Sequence, residues 1–185
     1  MMEASRREAM ATGGAAAAAL IGRPLQAGIS SQRHAFAFQT GAWNVSHRKL
    51  TARLAGSTDW IEFGGACHAW ETLAGGGNVE DHFIDDPRGS YRAGAYRMLD
   101  PAADTWSIWW FDPRSPKLSP PVVGRFDGNE GRVFCDDSLG GRAIRVRFTW
   151  RIIDSDHLDW RQAFSSDGEK TWETNWTMAF VRSRA

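Results

Sequence analysis

Residues 143–152 read AIRVRFTWRI. Ile144, Val146, Phe148, Trp150 and Ile152 alternate with Arg145, Arg147, Thr149 and Arg151. A period of two puts the apolar set on one face and the polar set on the other, which is a strand with one buried and one solvated side. The next segments repeat the pattern. LDWRQAF (158–164) alternates Leu158, Trp160, Gln162 and Phe164, and TWETNWTMAF (171–180) alternates Trp172, Thr174, Trp176, Met178 and Phe180. No stretch after residue 35 shows helical apolar spacing, so the chain reads as all-β.

Turn signals punctuate the rest at short spacing: LAGGGN (73–78), DDPRGS (85–90), DPAADT (100–105), FDGNEG (126–131), DSLGGR (137–142), IDSDH (153–157) and SSDGEK (165–170). They separate ten predicted strands, at about 36–50, 58–72, 78–86, 90–100, 105–112, 121–127, 131–137, 143–153, 158–165 and 171–182. Sequential strands joined by hairpins make an antiparallel meander. An open meander of that length exposes two raw edges, and closure removes both. The expected fold is a closed antiparallel up-and-down β-barrel of about ten strands, one domain over 28–185.

SSDGEKTW (165–172) approaches the Asp box of sugar-handling propellers. A propeller needs more than 185 residues and repeats the motif, and there is no second copy. Asp-Gly is a hairpin signal, and the stretch reads as a turn between strands nine and ten.

The charge is balanced, with 22 basic and 22 acidic residues. A nucleic-acid binder would show a basic excess or stripe, so no nucleic-acid partner is expected. Residues 1–27 differ in kind. Arg6-Arg7, the weakly apolar ATGGAAAAALIG and the small residue Ala27 form a pattern of the twin-arginine export type. That predicts export to the periplasm; the alternative is a cytoplasmic protein with an alanine-rich N-terminus. The run is too short and too weakly apolar for a membrane span. A homodimer is compatible with this pattern.

In strands eight to ten the even positions face inward. In strands two to five the odd face is expected inside, led by Ile61, Phe63 and Cys67, then Val79 and Phe83, then Tyr91 to Leu99, then Trp109. A one-residue slip reverses such an assignment. This face carries the polar residues Asp81, Asp85, Tyr91, Arg97 and Gln162, with His47 on strand one. Asp81 and Arg97 are expected to pair, either as a structural bridge or as groups that orient a ligand.

FQTGAW (38–43) contains Gly41-x-Trp43, and FVRSR offers Arg182 and Arg184 near the end. This resembles the calycin arrangement of lipocalins and fatty-acid-binding proteins. That resemblance implies a first-strand Trp closing the barrel base against a last-strand Arg. FQTGAWNVSHRKL, DWIEFGGACHAW, GNVEDHFIDDP, DTWSIWWFD and GEKTWETNW are together similar to the DUF1579 family of uncharacterised bacterial proteins.

The chemistry expected is binding of an apolar or aromatic small molecule. Its lining would be His47, Phe63, Phe83, Trp109, Trp150, Trp160, Gln162 and Trp176. The alternative is a cofactor-independent lyase, isomerase or cyclase. Asp81 would then act as acid–base group, Tyr91 as proton donor and Arg97 as the anion holder. No cofactor is expected. His68, His82 and Glu80 could make a two-histidine, one-carboxylate metal set, but they fall on the face expected outside, so no metal is assigned. His157 sits in a turn and does not suit a haem ligand. Cys67 and Cys135, on well-separated strands, are expected as free core thiols.

Overall fold

The computed structural model describes residues 30–115 and 118–184. The expected export segment, 1–27, lies outside the described residues. Ten strands follow in chain order: β1 Gly41–Leu50, β2 Trp60–Thr72, β3 Gly77–Ile84, β4 Tyr91–Asp100, β5 Thr105–Phe111, β6 Val122–Asp127, β7 Glu130–Leu139, β8 Arg142–Ile152, β9 His157–Ser165 and β10 Glu173–Arg182. Every neighbouring pair is antiparallel, and β1 pairs with both β2 and β10. The sheet is therefore a closed up-and-down barrel. The ladder that closes it runs from Trp43↔Arg182 to Lys49↔Trp176. No helix among the described residues is long and apolar enough to cross a membrane.

The first strand begins later than its sequence pattern predicts. Residues 37–39 form a short 3-10 helix that turns Phe36 into the base of the barrel. Phe36 is 1% exposed, with its ring 4.9 Å from Trp106, 5.0 Å from Phe126 and 5.5 Å from Trp150. Gln32 locks this plug to β6, donating to Phe126 O (3.0 Å) and accepting from Phe126 N (2.7 Å). FAFQT has strand-like alternation, but its apolar residues fill the barrel end instead of joining the wall.

The Gly-x-Trp element works at the same end. The Trp43 indole N–H donates to Gln39 O (2.7 Å), and the Arg182 guanidinium lies 4.1 Å from the Trp43 ring centre. Arg182 also donates to Ser155 O (2.8 Å), Thr40 O (2.8 Å) and Phe38 O (3.3 Å). Gly41 has φ 111°, and a Cβ there would stand 2.7 Å from Arg182 Nη1, so conformation and space both call for glycine.

SSDGEKTW is the turn its Asp-Gly predicts. Asp167 accepts from the Thr171 N–H (3.0 Å), the Thr171 hydroxyl (2.6 Å) and the Ser165 hydroxyl (2.8 Å). Both cysteines are free, Cys67 on β2 and Cys135 on β7. Burial pushes both thiols up, Cys135 to about 11 and Cys67 further.

The inward face corrects the sequence reading on two strands. Odd positions face inward on β2 and β4, as expected, but even positions do so on β3 and β5. Thr72 pairs with Gly77, Ile84 with Tyr91 and Asp100 with Thr105. Each connection holds an even number of residues, and an even connection hands the inner face from odd to even positions. Trp106 and Trp110 therefore point in, while Asp81, Phe83 and Trp109 point out. Trp172 also lies outside, beneath Arg147 (4.2 Å) and beside Phe134, because β10 carries a register shift between Thr174 and Trp176.

Arg182→Met removes three charge-assisted bonds to carbonyls at the base together with the packing of the guanidinium on Trp43. It should cost on the order of 3 kcal/mol in a denaturant melt. Arg184→Met, which breaks only an exposed pair with Asp156, should cost less than about 1 kcal/mol. Equal effects would mean that the base is not held by Arg182.

Candidate functional site

Alternation on β3 delivers Asn78, Glu80 and His82 to the interior, and all are at most 3% exposed. Across the ladders, Asn78 faces Arg97 and His82 faces Cys67. Glu80 is the hub. Its Oε2 accepts from Arg97 Nη2 and from Gln39 Nε2 (2.8 Å), and its Oε1 lies 2.9 Å from His82 Nδ1. Arg97 also donates to Asn78 Oδ1 (2.5 Å). The ring of Phe36 lies 5.0 Å from the Arg97 guanidinium carbon, so the plug covers the ion pair from below.

The hydrogen bonds continue to a second histidine. His82 Nε2 is 3.3 Å from His47 Nε2, and Trp176 Nε1–H donates to His47 Nδ1 (3.2 Å). An indole N–H is a donor only, which sets the tautomers along the whole chain. His47 Nδ1 accepts, so His47 Nε2 carries the proton and donates to His82 Nε2. His82 then carries its proton on Nδ1 and donates to Glu80. Both rings are neutral in this arrangement.

The electrostatics agree with it. Burial by itself would raise the Glu80 carboxyl, but the Arg97 charge and the hydrogen bonds from His82 and Arg97 outweigh it. They hold Glu80 well below the usual carboxylate range. Burial, with His82 and Lys49 nearby, lowers His47 from 6.5 to about 3. Phe63 stacks on His47 at 4.8 Å. Gly65 makes room for the ring, because a Cβ there would stand 2.7 Å from His47 Nε2.

Cys67, Glu80 and His82 offer ligand atoms within 4.8 Å of one another. The set does not suit a cation. Both Glu80 oxygens are engaged, Arg97 puts a positive charge beside them, and the Cys67 thiol is held protonated.

Above this polar floor lies a cavity of about 250 Å³. Trp110, Trp150, Trp160, Trp176 and Phe148 form its aromatic walls. Arg53, Ser119, Pro120 and Asp137, from the barrel end opposite the plug, border its mouth. Gln39, Glu80 and Arg97 are its buried charged and polar floor. Two floor atoms, Gln39 Oε1 and Arg97 Nε, are buried and have no hydrogen-bond partner among the described residues.

The sequence-derived residues divide sharply here. Trp150, Trp160, Gln162, Trp176 and Arg97 line the cavity. His47 and Phe63 face inward but sit behind Trp176 in the relay. Tyr91 stands near the mouth with its ring 3.3 Å from the Arg114 guanidinium carbon, and burial raises its phenol. Phe83 and Trp109 lie outside, Trp109 stacked on Tyr96. Asp81 also lies outside, hydrogen-bonded to Arg92 Nη2 (2.5 Å), so the expected Asp81–Arg97 pair is replaced by Glu80–Arg97. The acid–base trio Asp81, Tyr91 and Arg97 does not assemble. Of the metal set weighed in the sequence, Glu80 and His82 are inside and His68 is exposed.

Gln39, Asn78, Glu80, His82, Trp110 and Phe148 were absent from the residues expected at the site. One signal for β5 was present: Trp106, Ile108 and Trp110 make a wholly apolar even face, whereas Ser107 interrupts the odd one. For β3 hydrophobicity misleads, because its inner face is the polar one.

No protein-family model matches the chain, and no curated protein matches it. The resemblance to DUF1579 rests on the quoted residues alone. Among solved structures, the chain is similar to EF1p2_mFAP2b bound to DFHBI. The identity is 15% over 83% of this chain and 100% of that one, with a TM-score of 0.44. It is also similar to a DUF3598-family protein of unknown function from Nostoc punctiforme PCC 73102. There the identity is 8% over 84% of this chain and 100% of that one, with a TM-score of 0.26. Similarities this low say nothing about ligand or activity.

Glu80→Gln should leave Arg97 buried without its counter-charge and cost about 3–5 kcal/mol, while Asp81→Asn should cost less than about 1 kcal/mol. Glu80→Gln with Arg97→Met should cost less than the sum of the two single changes. Chemical denaturation of the four variants tests both statements, and additive losses would contradict the pairing.

The relay also predicts an acid limb. An unfolded His47 takes up a proton below 6.5, whereas the folded one stays neutral down to about 3. The stability this contributes is complete above pH 6.5 and drains as pH falls toward 3, by roughly 1 kcal/mol per unit. His47→Phe should shift the onset of acid destabilisation from about 6.5 toward the carboxylate range.

Proposed function

We propose that this protein binds a compact, flat, uncharged molecule inside the barrel. The volume supports a small ligand, since about 250 Å³ is just below the roughly 300–1,000 Å³ usual for drug-sized ligands. The walls support an aromatic one, because tryptophans from β5, β8, β9 and β10 present ring faces and edges to the same space. The observation that carries the reading is the pair of unpartnered floor atoms. Gln39 Oε1 is an acceptor and Arg97 Nε a donor, on residues 1% and 3% exposed. A buried group without a partner costs roughly 1–3 kcal/mol. Both atoms are enclosed by their neighbours, and a small rotation of the Gln39 side chain lets a ligand edge that offers one N–H and one C=O recover that cost at both.

Charge selects against an anion. Arg97 is already neutralised by Glu80, which stays ionised. A carboxylate on the floor would add a buried charge without a counter-ion. The aromatic or apolar ligand expected from the sequence is thus narrowed to a neutral aromatic with an amide-like edge.

The test is tryptophan quenching by 2-quinolone, whose ring lactam presents that edge, against quinoline-2-carboxylate. The lactam should quench the cavity tryptophans, and Gln39→Leu should weaken its binding about tenfold. Tighter binding of the carboxylate, or binding of neither, would overturn this ligand class.

A further inference from the structure

The chain carries three lysines against nineteen arginines. One of them, Lys49, occupies an inward position near the mouth of the barrel, paired across the closing ladder with Trp176. Its Nζ lies 4.2 Å from the centre of the Trp176 ring, and the same ring walls the cavity. Lys170, by contrast, stands exposed in the β9–β10 turn.

The surroundings of Lys49 give its ammonium no counter-charge. Among the described residues no carboxylate lies within salt-bridge distance of it. The two nearby carboxylates are taken by arginines. Arg88 binds Asp86 through Nε (2.9 Å) and Nη2 (2.7 Å), and Arg114 binds Asp112 through Nε (3.0 Å) and Nη2 (2.5 Å). Hydrogen bonds from Arg88 hold Asp86 down to about 2, so it is a committed partner. The charged groups that face Lys49 come from three loops: Arg53 between β1 and β2, Asp86 and Arg88 between β3 and β4, and Asp112 and Arg114 between β5 and β6. Three of those five are cations, and both carboxylates are tied to arginines. Burial first, then Arg53 and Arg88, bring the lysine down to about 8 against the opposing charge of Asp86. A desolvated lysine beside other cations keeps a reactive free-amine fraction near neutral pH, which an arginine cannot.

We propose that Lys49 is a covalent capture site for aldehydes with an aromatic or apolar body that enter the mouth of the barrel. The Nζ lone pair forms a C–N bond to the carbonyl carbon. The carbonyl oxygen takes up one proton while the nitrogen loses one, giving a carbinolamine. The C–O bond then breaks, and the hydroxyl leaves as water with a second proton from the nitrogen. Amine and aldehyde become imine and water, with no oxidant or reductant involved. The aromatic walls that support the neutral-ligand reading would hold the aldehyde's body, but the reaction rests on the place of Lys49 and not on the floor atoms.

Cinnamaldehyde and the full chain, trapped with sodium cyanoborohydride and mapped by peptide mass spectrometry, test this. The α-amino group is scored separately, since it titrates near the same pH. The adduct on Lys49 should form at least tenfold faster than on Lys170, with a half-maximal rate near pH 8. Lys49→Arg, which keeps a cation over Trp176, should abolish it and melt as the parent does. Labelling of Lys170 at an equal rate, or a Lys49 profile that rises only near the ordinary lysine value of 10.5, would overturn the proposal. Quenching by 2-quinolone in the Lys49→Arg variant separates the two readings. If quenching persists while no Lys49 adduct forms in the parent, the capture site falls and the cavity reading stands.

Discussion

The buried pair between Glu80 and Arg97 is the constraint from which the rest of the interior follows. Two opposite charges at 3% exposure lose nearly all their hydration, and Coulomb attraction repays that only with complete hydrogen bonding. The structure supplies all of it for Glu80 and most of it for Arg97, whose Nε alone has no partner among the described residues. Asn78, Gln39 and His82 each bond to one of the two, and His47 and Trp176 extend the chain of donors. Such a network tolerates little displacement, because each member's partner depends on the one before it. It ties β3 to β4, to β1 and β10, and to the segment that precedes β1.

This network divides the barrel in two. Below it, Phe36 closes over Arg97 and fills the base with Trp106, Phe126 and Trp150. Above it, large aromatic walls alternate with the smaller Ala95, Val122 and Val146, and the space is not filled. The polar layer is thus the floor of a pocket. Its two unpaired atoms stand where the protein's own hydrogen-bonding capacity has run out. The relay stabilises the floor without bordering the cavity, since Trp176 separates the histidines from it.

The mouth follows a different electrostatic rule. Arginines there bind the aspartates, and one lysine is left above a tryptophan with no carboxylate in salt-bridge reach among the described residues. Arginine can sit in such a place only as a cation, whereas lysine can shed its proton. The floor is charged yet neutral in sum and locked, while the mouth holds a group whose charge is labile near neutral pH.

How much of this was legible varies strand by strand. AIRVRFTWRI, LDWRQAF and TWETNWTMAF carry an alternation strong enough to place Trp150, Trp160, Gln162 and Trp176 on the cavity wall. Gly41, Trp43 and Arg182 carried the base contact, and the turn residues carried the number and order of strands. On β3 the same logic fails, because Asn78, Glu80 and His82 are more polar than the Val79 and Phe83 they displace. Local hydrophobicity ranks each residue against water, so on β3 it sends a lone Glu outward. Alternation and turn chemistry act within a few residues, which is why the sequence by itself determined a closed ten-stranded meander. The polar floor needed Glu80 from β3, Arg97 from β4, Gln39 from the plug and His47 from β1 at one point. Only the tertiary structure decided that, because their burial is favourable jointly and unfavourable for each alone.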